Sequence, residues 1–344
     1  MPIDPTADQI AAATDCILRA VDSHRINGVV SIRTDDTVIF EGAFGLSSLE
    51  YRILNTADTK FLLGSNTKLF TAVAIMQLVE SGELLLESPL YHFFPEHRDL
   101  IDPEVTVRHL LSHTAGVVNF WDLDCFDGDI QMIEISNDRL IHILLRNSSA
   151  EVGHFAYGNS GYYLLGLAIE RTTGISYTEY ITKYILDVLG MTDSGVYDQE
   201  SVIEGLATGY RLKGSDLIAA PYYEMRKLYA CGGVYSTIGD VNKWLKGLLE
   251  NRVLSSGSFQ QICTPVDSNY GFGCRVHEAA GMRWICHDGY VKGHYSHIRL
   301  YPSVGLRMQI LRNSSALSSE SQDEVNPGDV CSDVAEAIGV PASK

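Results

Sequence analysis

The chain has 344 residues, with 26 lysines and arginines against 43 aspartates and glutamates and a formal net charge of −17. A charge of that sign repels a phosphate backbone and argues against nucleic acid as a partner, while apolar and charged fractions of 45% and 20% exclude the disordered and fibrous classes. The length suffices for a sizeable core, in one large domain or two interleaved ones. The opening MPIDPTADQI carries two aspartates and no basic residue before Arg19, the reverse of a secretory leader. No apolar run reaches the length of a bilayer span, so no membrane partner is expected. Seven cysteines (16, 125, 231, 263, 274, 286 and 331) include no C-x-x-C, and they read as reduced, buried thiols of a cytoplasmic protein rather than disulfides or zinc ligands.

Residues 8 to 23 have helical apolar spacing, and GVVSIRTDDTVIFEGAFG predicts two strands around an Asp35-Asp36 turn. NTKLFTAVAIMQLVESG, residues 66 to 82, is apolar on most sides and stops at Gly82, as a buried helix does. From there to about residue 225 the pattern is mainly helical: VRHLLSH, DRLIHILLR, GYYLLGLAIERTTG and SYTEYITKYILDVLG, the last opening with Ser176 and Glu179 in capping-box spacing. A helix in DVNKWLKGLLE follows. Beyond residue 269, YGFGCRVHE, MRWICHD, HYSHIRLYP and GLRMQILRN predict successive antiparallel strands, followed by a loop at 313–327 and a helix at about 328–338. Strands at both ends with helices between them imply an α+β class. The expected division is a sheet domain from residues 1–75 and 226–344 and a mainly helical domain at 76–225, with the site in the cleft between them.

Three short motifs carry chemistry. GSNTKLF, residues 64–70, puts Ser65 and Lys68 three apart where the buried helix begins, so that both face one side and the amine reaches the hydroxyl. A serine nucleophile needs such a neighbour to accept its proton or to hold a second base ionised, and the helix N-terminus adds positive potential. A polar helix start is the plain alternative, since about one S-x-x-K match arises by chance in a chain of this content. YGNSG at 157–161 offers Tyr157 and Asn159 just before a helix, and HDG at 287–289 places His287 at the end of a strand.

In this order S-x-x-K, Y-x-N and H-x-G resemble the serine β-lactamase-like family, in the branch of class C enzymes, penicillin-binding proteins and D-peptidases or esterases. HLLSHTAG at 109–116 and CGGVYSTIGDVNKWL at 231–245 are similar to two further family segments, so the resemblance runs from about residue 20 to 312. It implies the β-lactamase/transpeptidase-like fold, an antiparallel sheet flanked by helices with an inserted mainly helical region. It also implies acylation of Ser65, Lys68 in its proton network and Tyr157 as general base. Asn159 would hold Lys68 or the substrate amide, and the backbone N–H groups of Ser65 and Tyr290 would form the oxyanion hole beside Gly289. A tyrosine ionises near neutrality only with cations close by; Lys68 supplies one, and His287 would supply a second when protonated, making the site pH-sensitive.

Asp288 departs from the pattern. Facing the cleft, it would repel a substrate carboxylate and hold His287 protonated; facing away, as strand alternation also allows, it would do neither. Phe120, Trp121 and Tyr222 are candidate pocket residues, with a packed loop anchor the alternative for the first two. His109 and His113 have the spacing of a helical metal pair but no third ligand, so neither metal nor cofactor is expected. The implied activity is that of a serine hydrolase cleaving an ester or amide of a small molecule or short peptide through an acyl-enzyme. Acyl transfer, β-lactam hydrolysis and a non-catalytic ligand-binding protein on the same scaffold are the alternatives.

Overall fold

Six antiparallel strands form the main sheet of the computed structural model, which describes residues 3–22, 26–35, 37–123, 135–148, 151–213, 216–220, 224–316 and 327–342. They are β1 (Gly28–Arg33), β2 (Val38–Phe44), β3 (Arg275–Ala279), β4 (Met282–Val291), β5 (His294–Tyr301) and β6 (Leu306–Arg312), in the spatial order β3-β4-β5-β6-β1-β2. The two ends of the chain meet where β1 pairs with β6, from Gly28 opposite Arg312 to Arg33 opposite Arg307. Alternation along the strands sorts their side chains between two cores. Val30, Ile32, Trp284, Met308 and Ile310 pack on one face, together with helices α1 (Ala7–Asp22) and the C-terminal Pro327–Ala337. Val29, Ile285, Ile298 and Leu311 join the larger core on the other face.

That larger core is built around α2 (Thr67–Glu80), which is buried on every side from Thr67 to Met76, in accord with a segment lacking a polar face. Further along are α3 (Val107–Leu111), α4 (Ser160–Thr173), which ends at Gly174 in the left-handed conformation, and α5 (Ile238–Leu249), whose Trp244 stacks on Phe70 of α2 at 4.1 Å. In SYTEYITKYILDVLG the Ser176 hydroxyl accepts the Glu179 N–H at 3.1 Å, and the helix then loosens into one wide turn at Thr182–Leu186.

The middle of the chain contains more strand than its pattern suggests. Tyr210–Lys213 and Asp216–Ala219 form a hairpin, with Ser314–Ala316 parallel to its first strand. Phe61–Leu62, Val234–Ser236 and Gly195–Val196 make another small sheet. Segments of two to four residues are too short to display an alternation. Apart from Ser314–Ala316, most of the loop expected at 313–327 lies outside the described residues, as does Asp36 of the first turn. Cys231, Cys263, Cys274, Cys286 and Cys331 are buried free thiols and Cys16 is partly exposed; Cys125 lies outside the described residues. Among the described residues no helix is long and apolar enough to cross a membrane.

Candidate active site

Ser65 lies in a single tight turn, Gly64–Asn66, between the strand Phe61–Leu62 and α2. Gly64 has φ +51°, and a Cβ there would sit 2.5 Å from the Tyr290 nitrogen, so only glycine lets β4 come against this turn. The turn is fastened from two sides. The Leu63 N–H donates to the Val234 carbonyl at 2.8 Å, and the Ser296 hydroxyl donates to the Leu63 carbonyl at 2.6 Å while accepting from Asn66 Nδ2 at 2.7 Å.

Lys68, one turn along, is fully buried. Its Nζ lies 3.0 Å from Ser65 Oγ, 2.7 Å from Asn159 Oδ1 and 3.1 Å from the Cys231 carbonyl oxygen. An ammonium has three N–H donors, and three acceptors meet it. The same geometry serves the neutral amine, which would accept the Ser65 proton and donate to the other two. Tyr157 is 37% exposed at the mouth of the site, with Lys68 Nζ 4.9 Å from its ring centre.

The Tyr157–Asn159 loop hangs on the HTAG segment. His113, held at φ +58°, accepts the Gly158 N–H through Nδ1 at 3.3 Å, and its ring lies 4.5 Å from that of Tyr157. Its carbonyl accepts the Ala156 N–H at 2.8 Å, and Asn119 Oδ1 accepts the Asn159 N–H at 3.1 Å. Burial, and then the charge of Lys68, push His113 well below the usual histidine range. His109 is occupied elsewhere, with its Nδ1 accepting the Thr106 N–H at 3.2 Å. The two histidines therefore serve a helix start and a loop.

His287 does not supply the second cation considered above. It is buried, and burial together with the charge of Lys68 lowers it to about 3, so the ring is neutral at physiological pH. Its Nδ1 lies 2.6 Å from the Asp288 carbonyl, which can only accept, so Nδ1 carries the proton and Nε2 accepts from the Tyr270 hydroxyl at 3.1 Å. Tyr270 is fully buried, its ring 6.1 Å from that of Tyr157. Tyr270 lies outside the segments that single out the site, and Cys231, although it opens the segment at 231–245, is not among the site candidates of the sequence. YGFG at 270–273 reads as a strand start, and a backbone oxygen leaves no mark in a residue pattern.

Asp288 turns to the opposite face of β4 from His287. Its Oδ1 accepts from the Tyr295 hydroxyl at 2.5 Å and lies 2.8 Å from Nδ1 of His297, the residue directly across the sheet. Burial opposes charge on both groups. Even so, the Cys331 sulfur and the Asp288 carboxylate raise His297 to about 9, and the His297 and Tyr295 contacts hold Asp288 below the usual carboxylate range. The reading in which Asp288 keeps His287 protonated is thus corrected, because the histidine it holds charged is His297. A folded-state value above 6.5 stabilises below that pH and is lost as pH rises through 9, whereas the Asp288 contribution is present above 3.8. The loss of Tm in Asp288→Asn should accordingly be widest near pH 5 to 6 and shrink above pH 9. A gap independent of pH in thermal melts would count against the pair.

In front of Ser65 opens a cleft of about 300 Å³ lined by Ser65, Asn159, Trp121, Leu228, Tyr290 and Val291, among others. Trp121 thus lines the cleft, whereas Phe120 is buried beside it, its N–H donating to Ser160 Oγ at 2.9 Å. Gly289 is packed so closely on Leu63 that a Cβ would lie 1.9 Å from its carbonyl oxygen. Tyr222 lies outside the described residues.

A sequence model of the family described as Beta-lactamase matches residues 13–326. Penicillin-binding protein 4 of Amycolatopsis lactamdurans is 28% identical over 327 residues, covering 86% of this chain and 83% of that protein. Esterase EstB of Burkholderia gladioli is 32% identical over 220 residues, 58% of this chain and 56% of the esterase. The solved structure of the octameric penicillin-binding protein homologue from Pyrococcus abyssi gives a TM-score of 0.80 at 27% identity, over 96% of this chain and 78% of that one. Several curated relatives are longer, and the chain spans 62%, 64% and 57% of three of them.

Proposed function

The chain belongs to the beta-lactamase family, and from that premise we propose that it is a serine hydrolase that cleaves a small ester or amide, D-amino-acid derivatives included, through an acyl-enzyme on Ser65. The observation that carries the reading is the buried Lys68 amine, within hydrogen-bond reach of Ser65 Oγ and Asn159 Oδ1 together. Ser65 Oγ attacks the carbonyl carbon as its proton passes to Tyr157 or Lys68. The tetrahedral oxyanion is met by the backbone N–H groups of Ser65 and Tyr290, donors worth about 3 kcal/mol each. Collapse expels the alcohol or amine, which takes up that proton, and water then releases the acid by the same steps. Apolar Trp121, Leu228 and Val291 around the cleft favour an apolar acyl group, and the ester half of the proposal is in keeping with an esterase among the relatives.

A fluorophosphonate should add once per chain, with the adduct mapping to Ser65, and a panel of p-nitrophenyl esters, D-amino-acid anilides and a chromogenic cephalosporin should yield turnover on the first or second class. Labelling that persists unchanged in Ser65→Ala would overturn the assignment. Tyr157→Phe should lower kcat by ~10² or more with little change in Tm, as the loss of a general base does. A wild-type rate there would pass the role to Lys68.

A further inference from the structure

A second cavity, of about 430 Å³, opens at the far end of the main sheet between the β1–β2 turn and α5. The cleft lies near Tyr290, which is in register through Tyr295 with Arg312 and Gly28, whereas this cavity lies by Arg307 and Arg33. Five residues separate the two levels, roughly 17 Å along the strands. Among the described residues the cavity wall carries four cations, Arg33, Lys243, Lys246 and Arg307, and one carboxylate, Asp35. In a chain of net charge −17 this concentration runs against the overall sign.

Two details make it more than a solvated patch. Arg33 and Arg307 stand directly opposite each other across β1 and β6, an arrangement of like charges that destabilises a sheet unless an anion intervenes. Asp35 answers only part of that charge. It accepts from one terminal nitrogen of the buried Arg307 at 2.5 Å, and the Thr34 carbonyl accepts from the other at 2.8 Å, but the Arg307 Nε–H is buried without a partner among the described residues. Arg33 makes no ion pair with any described residue. On the facing wall α5 presents Gly239, Asn242, Lys243 and Lys246, spaced as one helix face. Lys243 is held by Asp240 and the Gly190 carbonyl, both at 2.7 Å, whereas Lys246 pairs among the described residues with Glu250 at 3.5 Å across half-exposed side chains, a weak pairing.

We propose that this cavity binds a small, multiply charged oxyanion of the phosphate or carboxylate kind. Guanidinium forks match such oxygens in pairs, and a multiply charged ligand would relieve the Arg33–Arg307 opposition while bridging the sheet to α5. The volume is that of a small-molecule site.

The test is titration calorimetry and thermal melting of the full chain with inorganic pyrophosphate and with citrate, against sodium chloride at matched ionic strength. The expected result is a saturable heat and a saturable rise in Tm with pyrophosphate, citrate or both, the better of the two identifying the oxyanion. In Arg33→Ala/Lys246→Ala, two positions that are not buried, affinity should fall at least tenfold while hydrolysis at Ser65 is unchanged. Arg307→Met removes a buried guanidinium with its bonds to Asp35 and the Thr34 carbonyl and perturbs folding as well, so the double variant carries the test. Responses that do not saturate, that chloride reproduces, or that the double variant retains would overturn the proposal. A dimer that covers the β1–β2 turn and resists both anions would do so too, by assigning the cavity to a second copy of the chain.

Discussion

Lys68→Met is expected to lower kcat by 10² to 10⁴-fold, on the order of what loss of a proton-transfer group costs, while the chain stays folded. Methionine is close to lysine in length and fills irregular space without strain, so the buried start of α2 keeps its packing. What disappears is the nitrogen that joins Ser65, Asn159 and Cys231. Asn159 Oδ1 and the Cys231 carbonyl are then left without this donor, at about 1–3 kcal/mol for each buried acceptor that finds no other. The measurement is pre-steady-state turnover of a p-nitrophenyl ester, with circular dichroism as the check on folding. A variant that unfolds would be replaced by Lys68→Gln, which keeps a donor but no charge. A kcat within threefold of wild type in a folded variant would show that Lys68 only fills space.

Gly64→Ala should be damaging in a different way. The added methyl meets the Tyr290 nitrogen at 2.5 Å and the Gly289 carbonyl carbon at 2.8 Å, both backbone atoms that cannot swing aside. The position also demands a left-handed backbone, which costs an L-residue roughly 1–2 kcal/mol. Either the turn or β4 must retreat, carrying Ser65 and the Tyr290 N–H apart. Since an oxyanion donor is worth about 10² to 10³ in kcat, the expected signature is a fall of that size in kcat, a modest change in KM and a Tm lower by several degrees. Near-normal kcat with an intact fold would detach Tyr290 from the oxyanion hole.

How much of this was legible beforehand depends on which level of structure held it. The Ser65–Lys68 contact is local, set by helical spacing, and Asn159 entered through a short motif, so both were readable from residues 64–70 and 157–161. The charge state of His287 was not, because burial and the field of Lys68 arise only once β4 is packed against α2. The outward turn of Asp288 depended on register: the neighbour that binds it, His297, is nine residues away and is found only when β4 and β5 are paired. Tyr270 was hidden for a similar reason, its hydroxyl being tied to a histidine seventeen positions on. The strands at 210–219 escaped because they are short, four residues each, and the second of them is largely exposed. The α+β class was legible because long segments of one character, such as the all-round apolar run at 66–82 that stops at Gly82 and the β-rich stretches at 294–301 and 306–312, form much of the core.

The pairing of β1 with β6 bears on how the molecule comes to be made. Gly28 and Arg312 are close to 300 positions apart, and the turn at Gly64–Asn66 that carries Ser65 is likewise braced by Ser296 and packed against Gly289. Contacts of such high sequence separation form slowly, since long loops must close before the closure is rewarded. A ribosome that has delivered α2 has therefore delivered Ser65 and Lys68 without the strand that packs against their turn, and two of the six strands of the main sheet with an open edge. At ~5–20 residues per second the remaining segment takes on the order of ten seconds or more to arrive. During that interval the exposed rim of β1 is the part of the nascent chain most in need of protection from its neighbours on the same message.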